Sequence, residues 1–134
     1  MNQLRFAKIN LRVRDLDSAL AYARDVLGAE VLRERNTISF GEMALVRYGG
    51  LIIEILAPAR PDSSLAKIIE QRGEGIDSLG LYADDVNASV AELEANGARI
   101  ASNDGSVAWL HPKNPLSLSV ELFDPAQFNL ERQA

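Results

Sequence analysis

Two glutamates lie in settings that point to chemistry. Glu54 interrupts the apolar run of residues 52–56, and Glu121 lies between Val120 and Leu122. A carboxylate is costly to bury among apolar side chains unless a cation, a shared proton or water compensates it. The pattern therefore predicts two functional carboxylates at matching places in the chain. The alternative is that either glutamate points to solvent from an edge strand.

The polar faces of two strands could complete such a site. Residues 5–13 alternate between apolar and polar, which is typical of a half-buried strand, and residues 78–82 continue the same pattern in the second half of the chain. Alternation sends one set of side chains away from any covering helix. We therefore expect a small-molecule cleft with Lys8, Glu54 and Glu121 as catalytic candidates and Asn10, Arg12, Ser78, Tyr82, Ser119 and Trp109 as substrate-binding candidates. Tyr82 and Trp109 are equally compatible with a core role.

An internal repeat organises the elements that must position these residues. Residues 9–20 align with residues 79–90, so that Asp15 matches Asp85 as a helix N-cap, and Gly28 and Gly97 end the two helices. Each copy predicts a β-α-β-β-β module in an α+β fold. We expect the later strands near residues 30–35, 43–48 and 51–56 in one copy and 98–101, 106–110 and 117–123 in the other.

The repeat also sets the expected domain organisation. We predict a single domain over residues 1–134, with a first module at 1–57, a connector with a short helix at 58–75 and a second module at 76–125. A polar tail follows at 126–134, in which Phe128 and Leu130 are candidate docking residues.

Charge and composition narrow the functional classes. The net charge of −5 argues against nucleic-acid and anionic-membrane partners, and the absence of cysteine and of a long apolar segment favours a soluble cytoplasmic protein. Residues 1–60 carry nine Lys or Arg against seven Asp or Glu, whereas residues 61–134 carry five against twelve. An anionic ligand would be steered toward the first half. The alternative is that these arginines are ordinary solvated side chains.

Several segments together resemble the glyoxalase, or vicinal oxygen chelate, superfamily. They are Val-Arg-Asp-Leu-Asp-Ser-Ala-Leu at 13–20, Asp-Val-Leu-Gly at 25–28, Ile-Glu-Ile-Leu-Ala-Pro at 53–58, Ala-Trp-Leu-His-Pro-Lys at 108–113 and Ser-Val-Glu-Leu at 119–122. The chain is most similar to the methylmalonyl-CoA epimerase-like branch. The resemblance implies paired βαβββ modules, a curved mixed sheet around a central cleft, and a homodimer. It also implies a divalent metal held by a histidine on the first strand and a Glu or Gln on the last strand of each module.

The sequence departs from the family pattern at the positions of the metal ligands. Carried over by position, Glu54 and Glu121 occupy the carboxylate sites, whereas Lys8 and Ser78 occupy the histidine sites. An ammonium has no lone pair and a neutral hydroxyl is a poor transition-metal ligand. We therefore expect no metal and no other cofactor, with weak Mg²⁺ or Ca²⁺ binding as the disfavoured alternative. The four side chains sum to −1, so one carboxylate is expected to hold a proton, giving an acid and a base in one pocket.

Three functions remain open at this point. The first is a metal-independent isomerase or lyase that transfers a proton next to the carbonyl of a small substrate such as an acyl-CoA. The second is a non-catalytic small-molecule binder of the drug-sequestering type, and the third is a scaffold subunit. Glu34 and Glu42 are candidates for an additional base that the epimerase-like branch implies, and His111 is expected in a turn or surface role.

Overall fold

A computed structural model describes residues 3–38 and 41–127 of the chain. The strands are β1 Arg5–Arg12, β2 Glu30–Ile38, β3 Gly41–Tyr48, β4 Leu51–Ala57, β5 Gly75–Tyr82, β6 Ile100–Asn103, β7 Val107–Leu110 and β8 Ser119–Phe123. The helices are α1 Leu16–Ala21, α2 Ser64–Arg72 and α3 Val86–Ala95. Their order gives two βαβββ modules separated by α2.

The first module has the strand order β2-β3-β4-β1. Its last strand, β4, pairs in parallel with β1, and β2, β3 and β4 pair in antiparallel order. Apolar side chains of α1 and of β3 and β4 form its core, including Leu20, Val46 and Ile55. The side chains that alternate with this core face on β4 belong to Ile52, Glu54 and Leu56.

The second module repeats this arrangement with the strand order β5-β8-β7-β6. Its last strand, β8, pairs in parallel with β5, and β7 lies antiparallel to β8. Val90 on α3 and Val120 and Leu122 on β8 belong to one apolar cluster. Because side chains alternate along a strand, Glu121 faces away from α3.

Helices α1 and α3 begin directly after the predicted aspartates. The Asp15 carboxylate accepts a hydrogen bond from the Ser18 amide (3.1 Å), and the Asp85 carboxylate accepts one from the Ala88 amide (3.0 Å). After α1 the chain continues as a π-helical turn, Tyr22–Val26, which ends before Gly28 at a φ of 74°. The connector helix α2 is capped by the Ser63 side chain.

By packing, the described residues form two compact units, one within residues 9–77 and one that joins residues 3–8 to residues 78–127. Strand β1 is thus divided, since its first four residues pack with the second module. This division assigns Lys8 to the same unit as Glu121.

The predicted fold class of two βαβββ modules with mixed strand pairing is confirmed. Strand β6 begins two residues later than expected, because the Ala98 amide still donates to the Leu93 carbonyl of the preceding helix. Strand β8 begins at Ser119 because residues 111–118 form a hydrogen-bonded turn, in which Ser117 has a φ of 58°. The module boundaries stay a prediction, and Phe128 and Leu130 lie outside the described residues.

The capping geometry predicts the effect of substitutions at Asp85. Asp85→Ala leaves the Ala88 amide without its cap and is expected to lower the free energy of unfolding by about 1 kcal/mol. Asp85→Asn keeps a side-chain acceptor and should retain most of the stability. Urea unfolding followed by circular dichroism measures both, and an equal loss in the two variants would contradict the capping role.

Candidate active site

A buried ion pair lies at the centre of the second unit. The Lys8 Nζ atom is 3.1 Å from Oε1 of Glu121, and the two side chains retain only 6% and 11% of their exposure. Strand β1 delivers Lys8, and β8 delivers Glu121. A buried charge requires a partner of opposite sign, and Lys8 and Glu121 are such partners for each other. The pair therefore fixes an ammonium group inside the protein.

Gly80 makes this pair sterically feasible. It lies opposite Glu121 in the β5–β8 ladder, and a Cβ atom at this position would be 2.7 Å from Lys8 Cγ and 3.0 Å from Lys8 Cε. The aliphatic part of Lys8 therefore lies directly over the backbone of β5. Any side chain at position 80 would have to displace it.

An aromatic ring lies beside the ammonium. The Lys8 Nζ atom is 5.3 Å from the centroid of the Phe123 ring, within cation–π range, and Tyr82 meets Phe123 edge to face with the centroids 5.0 Å apart. Trp109 pairs with Glu121 across the β7–β8 ladder, so its side chain leaves the sheet on the same face. The ion pair is thus placed among predominantly apolar groups.

The edge of this site is charged and more exposed. Arg5 donates two hydrogen bonds of 3.1 Å to the Asp84 carboxylate and lies 5.9 Å from the Tyr82 ring centroid. Partial burial raises the pKa of Tyr82 above its ordinary value of 10.0, while the positive charges of Lys8 and Arg5 act in the opposite direction. Arg5 also holds the pKa of the Asp84 carboxyl below its usual range, through hydrogen bonding first and charge second.

The structure brings most of the predicted second-module residues together. Ser78 is fully buried and pairs with Ser119 in the β5–β8 ladder, one step along each polar face from Gly80 and Glu121. Lys8, Ser78, Tyr82, Trp109, Ser119 and Glu121 thus belong to one unit. Their roles in catalysis or binding stay a prediction.

Glu54 and Asn10 belong to the other unit, where they form a cross-strand pair on β4 and β1. Glu54 is 8% exposed and Asn10 is 1% exposed, so the carboxylate is buried as expected. The repeat aligns Asn10 with Gly80, and the ladders pair these two residues with Glu54 and Glu121 respectively. The two glutamates therefore occupy equivalent positions in their modules.

Arg12 makes contacts within the polypeptide. Its guanidinium donates to the carbonyl of Gly73 (2.8 Å) at the end of the connector, and to the Ile76 carbonyl (3.2 Å) and the Asp77 carboxylate (3.2 Å) at the start of β5. These contacts fasten the connector to β1. A role for Arg12 in substrate binding stays a prediction.

Other first-half arginines are also engaged with carboxylates, since Arg47 pairs with Glu30 and Arg35 contacts both Asp17 and Glu42. This pairing favours the alternative of ordinary surface ion pairs over an anion-attracting first half. Glu42 is thereby linked to Arg35, and Glu34 is exposed. His111 lies in the turn before β8, where its Nδ1 accepts a hydrogen bond from the Lys113 amide (3.0 Å).

Gly80 and Phe123 were not among the predicted site residues, although strand alternation places each on the polar face of its strand. A glycine inside an alternating strand pattern signals that another group approaches the backbone closely. Gly80 gives this signal in the sequence. Phe123 follows Glu121 by two residues and so shares its face, which the alternation also implied.

The residues around Glu121 do not fit a divalent cation. The Lys8 ammonium lies at the Glu121 carboxylate and would repel such an ion, and it offers no lone pair. Among residues 3–38 and 41–127, no three His, Asp or Glu side chains are grouped as metal ligands would be. We therefore derive no chemical step through a metal.

Comparison with known proteins identifies the family. Residues 8–114 match the model of the Glyoxalase/Bleomycin resistance protein/Dioxygenase superfamily, and the chain belongs to that superfamily. It is 28% identical over 127 residues to the mitochondrial methylmalonyl-CoA epimerase of Homo sapiens, covering 88% of this chain and 72% of the relative. It is 29% identical over 128 residues to an ethylmalonyl-CoA/methylmalonyl-CoA epimerase of Cereibacter sphaeroides, covering 88% and 96%.

A solved structure supports the same relationship. A methylmalonyl-CoA epimerase in complex with methylmalonyl-CoA and NH₄⁺ superimposes with a TM-score of 0.76 at 26% identity, covering 90% of this chain and 93% of that one. The predicted resemblance to the superfamily and to the epimerases is confirmed. In the described part of this chain, no helix is long and apolar enough to span a membrane. The homodimer and the cytoplasmic location stay predictions.

The close approach at Gly80 predicts a specific steric coupling. Gly80→Ala should lower the free energy of unfolding by about 1–3 kcal/mol, because the new methyl group overlaps the Lys8 side chain. Gly50→Ala is the matched control, since nothing lies within 4 Å of the Cβ position there. In a Lys8→Ala background the cost of Gly80→Ala should shrink. Equal costs in both backgrounds, measured by urea unfolding, would show that Lys8 does not lie over Gly80.

The position of Tyr82 predicts an alkaline titration. Because its folded pKa is raised, the associated stability is present below pH 10 and is lost as the pH rises through the folded value. Absorbance at 295 nm after a pH jump, as the difference between the wild type and Tyr82→Phe, should give a midpoint above 10.0. Lys8→Met should move that midpoint further upward. A midpoint that Lys8→Met leaves unchanged would contradict the placement of the ammonium near this ring.

Proposed function

We propose that this protein is a metal-independent isomerase-type enzyme that moves a proton next to the carbonyl of a small acyl-thioester substrate. The observation that carries the proposal is the buried Lys8–Glu121 pair. It holds an ammonium group where the resemblance to metal-dependent relatives implies a metal ligand. The proposal assigns the role of the metal to the ammonium.

The reaction needs charge stabilisation above all. Removal of the proton from the carbon beside a thioester carbonyl leaves an enolate, whose negative charge lies mainly on oxygen. A preorganised donor aimed at that oxygen in a water-poor site stabilises it strongly. In the proposed mechanism the Lys8 ammonium donates to the enolate oxygen, and Glu121 holds the ammonium in position.

A base must take the proton and an acid must return it. The candidate for the base that the sequence offers is Glu54, a buried carboxylate on the face of β4 that alternates with the apolar core. The proton moves from the α-carbon to the carboxylate and, after the enolate has turned its other face toward that carboxylate, returns to the same carbon, so that no atoms are gained or lost. Burial among apolar groups suits a carboxylate that must alternate between charged and neutral forms.

The relatives support the substrate class. Those that match most of the chain are described as epimerases of methylmalonyl-CoA or ethylmalonyl-CoA, and one solved complex contains methylmalonyl-CoA together with NH₄⁺. An ammonium ion is chemically the head group of lysine. By analogy, Lys8 supplies a covalently attached ammonium to an acyl-CoA substrate.

The decisive measurement is incorporation of solvent deuterium at the α-carbon of methylmalonyl-CoA and other acyl-CoA thioesters, followed by NMR in the presence of EDTA. Exchange should persist with the chelator. Lys8→Met, which keeps the side-chain length but removes the charge, should reduce it by about 10²–10³-fold. Lys8→Arg should retain part of the activity, and Lys67→Met on the exposed side of α2 should have no effect.

Each of the other possible results would support a different mechanism or function for this protein. Exchange that disappears with EDTA and returns with a divalent metal would overturn the metal-independent mechanism. An absence of exchange for every thioester, with saturable binding of an unchanged ligand, would support the drug-sequestering alternative. Circular dichroism of Lys8→Met and Lys8→Arg separates a lost reaction from a lost fold.

A further inference from the structure

The cationic residues of the second module are gathered in one place. Residues 76–125 contain eight Asp or Glu, but only two Lys or Arg, Arg99 and Lys113, and the only histidine of the chain, His111. All three line a single cavity of about 480 Å³ at the end of α3. Among the described residues that line it, none is acidic. The module is therefore negative overall, with its positive charge concentrated at this cavity.

The remainder of the cavity wall is largely apolar. Leu93 of α3, Leu110 of β7 and Val120 of β8 contribute to it, and Leu116 lies at its border with 69% of its surface exposed. Covering the exposed part of Leu116 with an apolar group of a ligand would remove apolar surface from water, which is favourable. A cavity wall with positive charge and apolar surface matches a ligand that has a negatively charged group and an apolar part.

The turn that carries this wall is held in a defined conformation. The Asn114 side-chain amide donates to the carbonyls of His111 (2.8 Å) and Leu118 (2.7 Å), and its oxygen accepts from the Leu116 amide (2.8 Å). These three hydrogen bonds fix the turn between His111 and Leu118, and the His111 amide also donates to the Arg99 carbonyl (2.9 Å). The wall is thus preorganised, which lowers the entropic cost of binding.

The cavity is separate from the candidate active site. Val120 lies in the apolar cluster beneath α3, whereas the adjacent Glu121 points to the opposite face of β8 and binds Lys8. A ligand in the cavity therefore lies on the helix-covered side of the second module. Its binding does not depend on the proposed reaction.

We propose that this cavity binds an amphiphilic anion, namely a phosphate or carboxylate head group attached to an apolar chain. The head group would contact Arg99 and Lys113, and the chain would cover Leu116 and reach toward Leu93 and Val120. Guanidinium and ammonium groups form the charge-assisted hydrogen bonds that such head groups require.

Calorimetric titration of the full chain with octyl phosphate and with octanoate, each below its micelle concentration, tests the proposal. Both should bind saturably, whereas octanol, which has no charge, should not. Arg99→Gln/Lys113→Gln should weaken binding of either anion by about tenfold or more. Leu116→Ser should weaken both anions as well, and inorganic phosphate should bind much more weakly than octyl phosphate.

The control is Lys67→Gln/Arg72→Gln on α2, which removes the same charge from another part of the chain. Binding that this control weakens as much as Arg99→Gln/Lys113→Gln does would reveal a general charge effect and overturn the site. An absence of binding by both anions would overturn it outright. Binding of only one of the two anions to the wild type, weakened by Arg99→Gln/Lys113→Gln, would identify which head group the cavity accepts and so support the proposal, whereas an anion that binds this variant as tightly as the wild type would overturn the assignment of the two cations.

Discussion

The ion pair between Lys8 and Glu121 imposes the strongest constraint on this structure. Both side chains are almost entirely withdrawn from solvent, and removing one partner of such a pair typically costs about 3–5 kcal/mol. The pair therefore requires the first half of β1 to pack with the second module and not only with its own. It also requires that residue 80 have no side chain, because the Lys8 side chain passes over this position. The Phe123 ring lies beside the ammonium.

The parallel pairing of the first and last strands explains why each module offers a carboxylate at the same place. In the first module this pairing places Glu54 opposite Asn10, and in the second it places Glu121 opposite Gly80. The two modules have diverged at the partner position. A small residue at position 80 admits the lysine stem, whereas the amide of Asn10 occupies the equivalent point. One repeated scaffold therefore provides two chemically different surroundings for the same carboxylate.

Much of the fold could be predicted from the sequence because its signals are local. Strand alternation, the caps at Asp15 and Asp85 and the glycines that follow the helices each depend on a few neighbouring residues. The choice of Glu121 as the partner of Lys8 depends instead on which strands are adjacent, and nothing near either residue specifies it. The same limitation applies to Arg12, whose guanidinium binds the end of the connector more than sixty residues away. The π-helical turn at Tyr22–Val26 also escaped prediction, since its apolar spacing reads as ordinary helix.

An ammonium held by a covalent stem differs from a bound metal in ways that bear on the proposed reaction. It needs no uptake from solution and cannot dissociate, and its position is set by packing against Gly80 and Phe123. It carries one positive charge in place of two, however, and Glu121 already offsets that charge. The stabilisation available to an enolate is correspondingly smaller than a divalent ion would give. The proposed chemistry is therefore best suited to substrates whose α-proton is already acidic, such as a thioester bearing a second electron-withdrawing group on the same carbon.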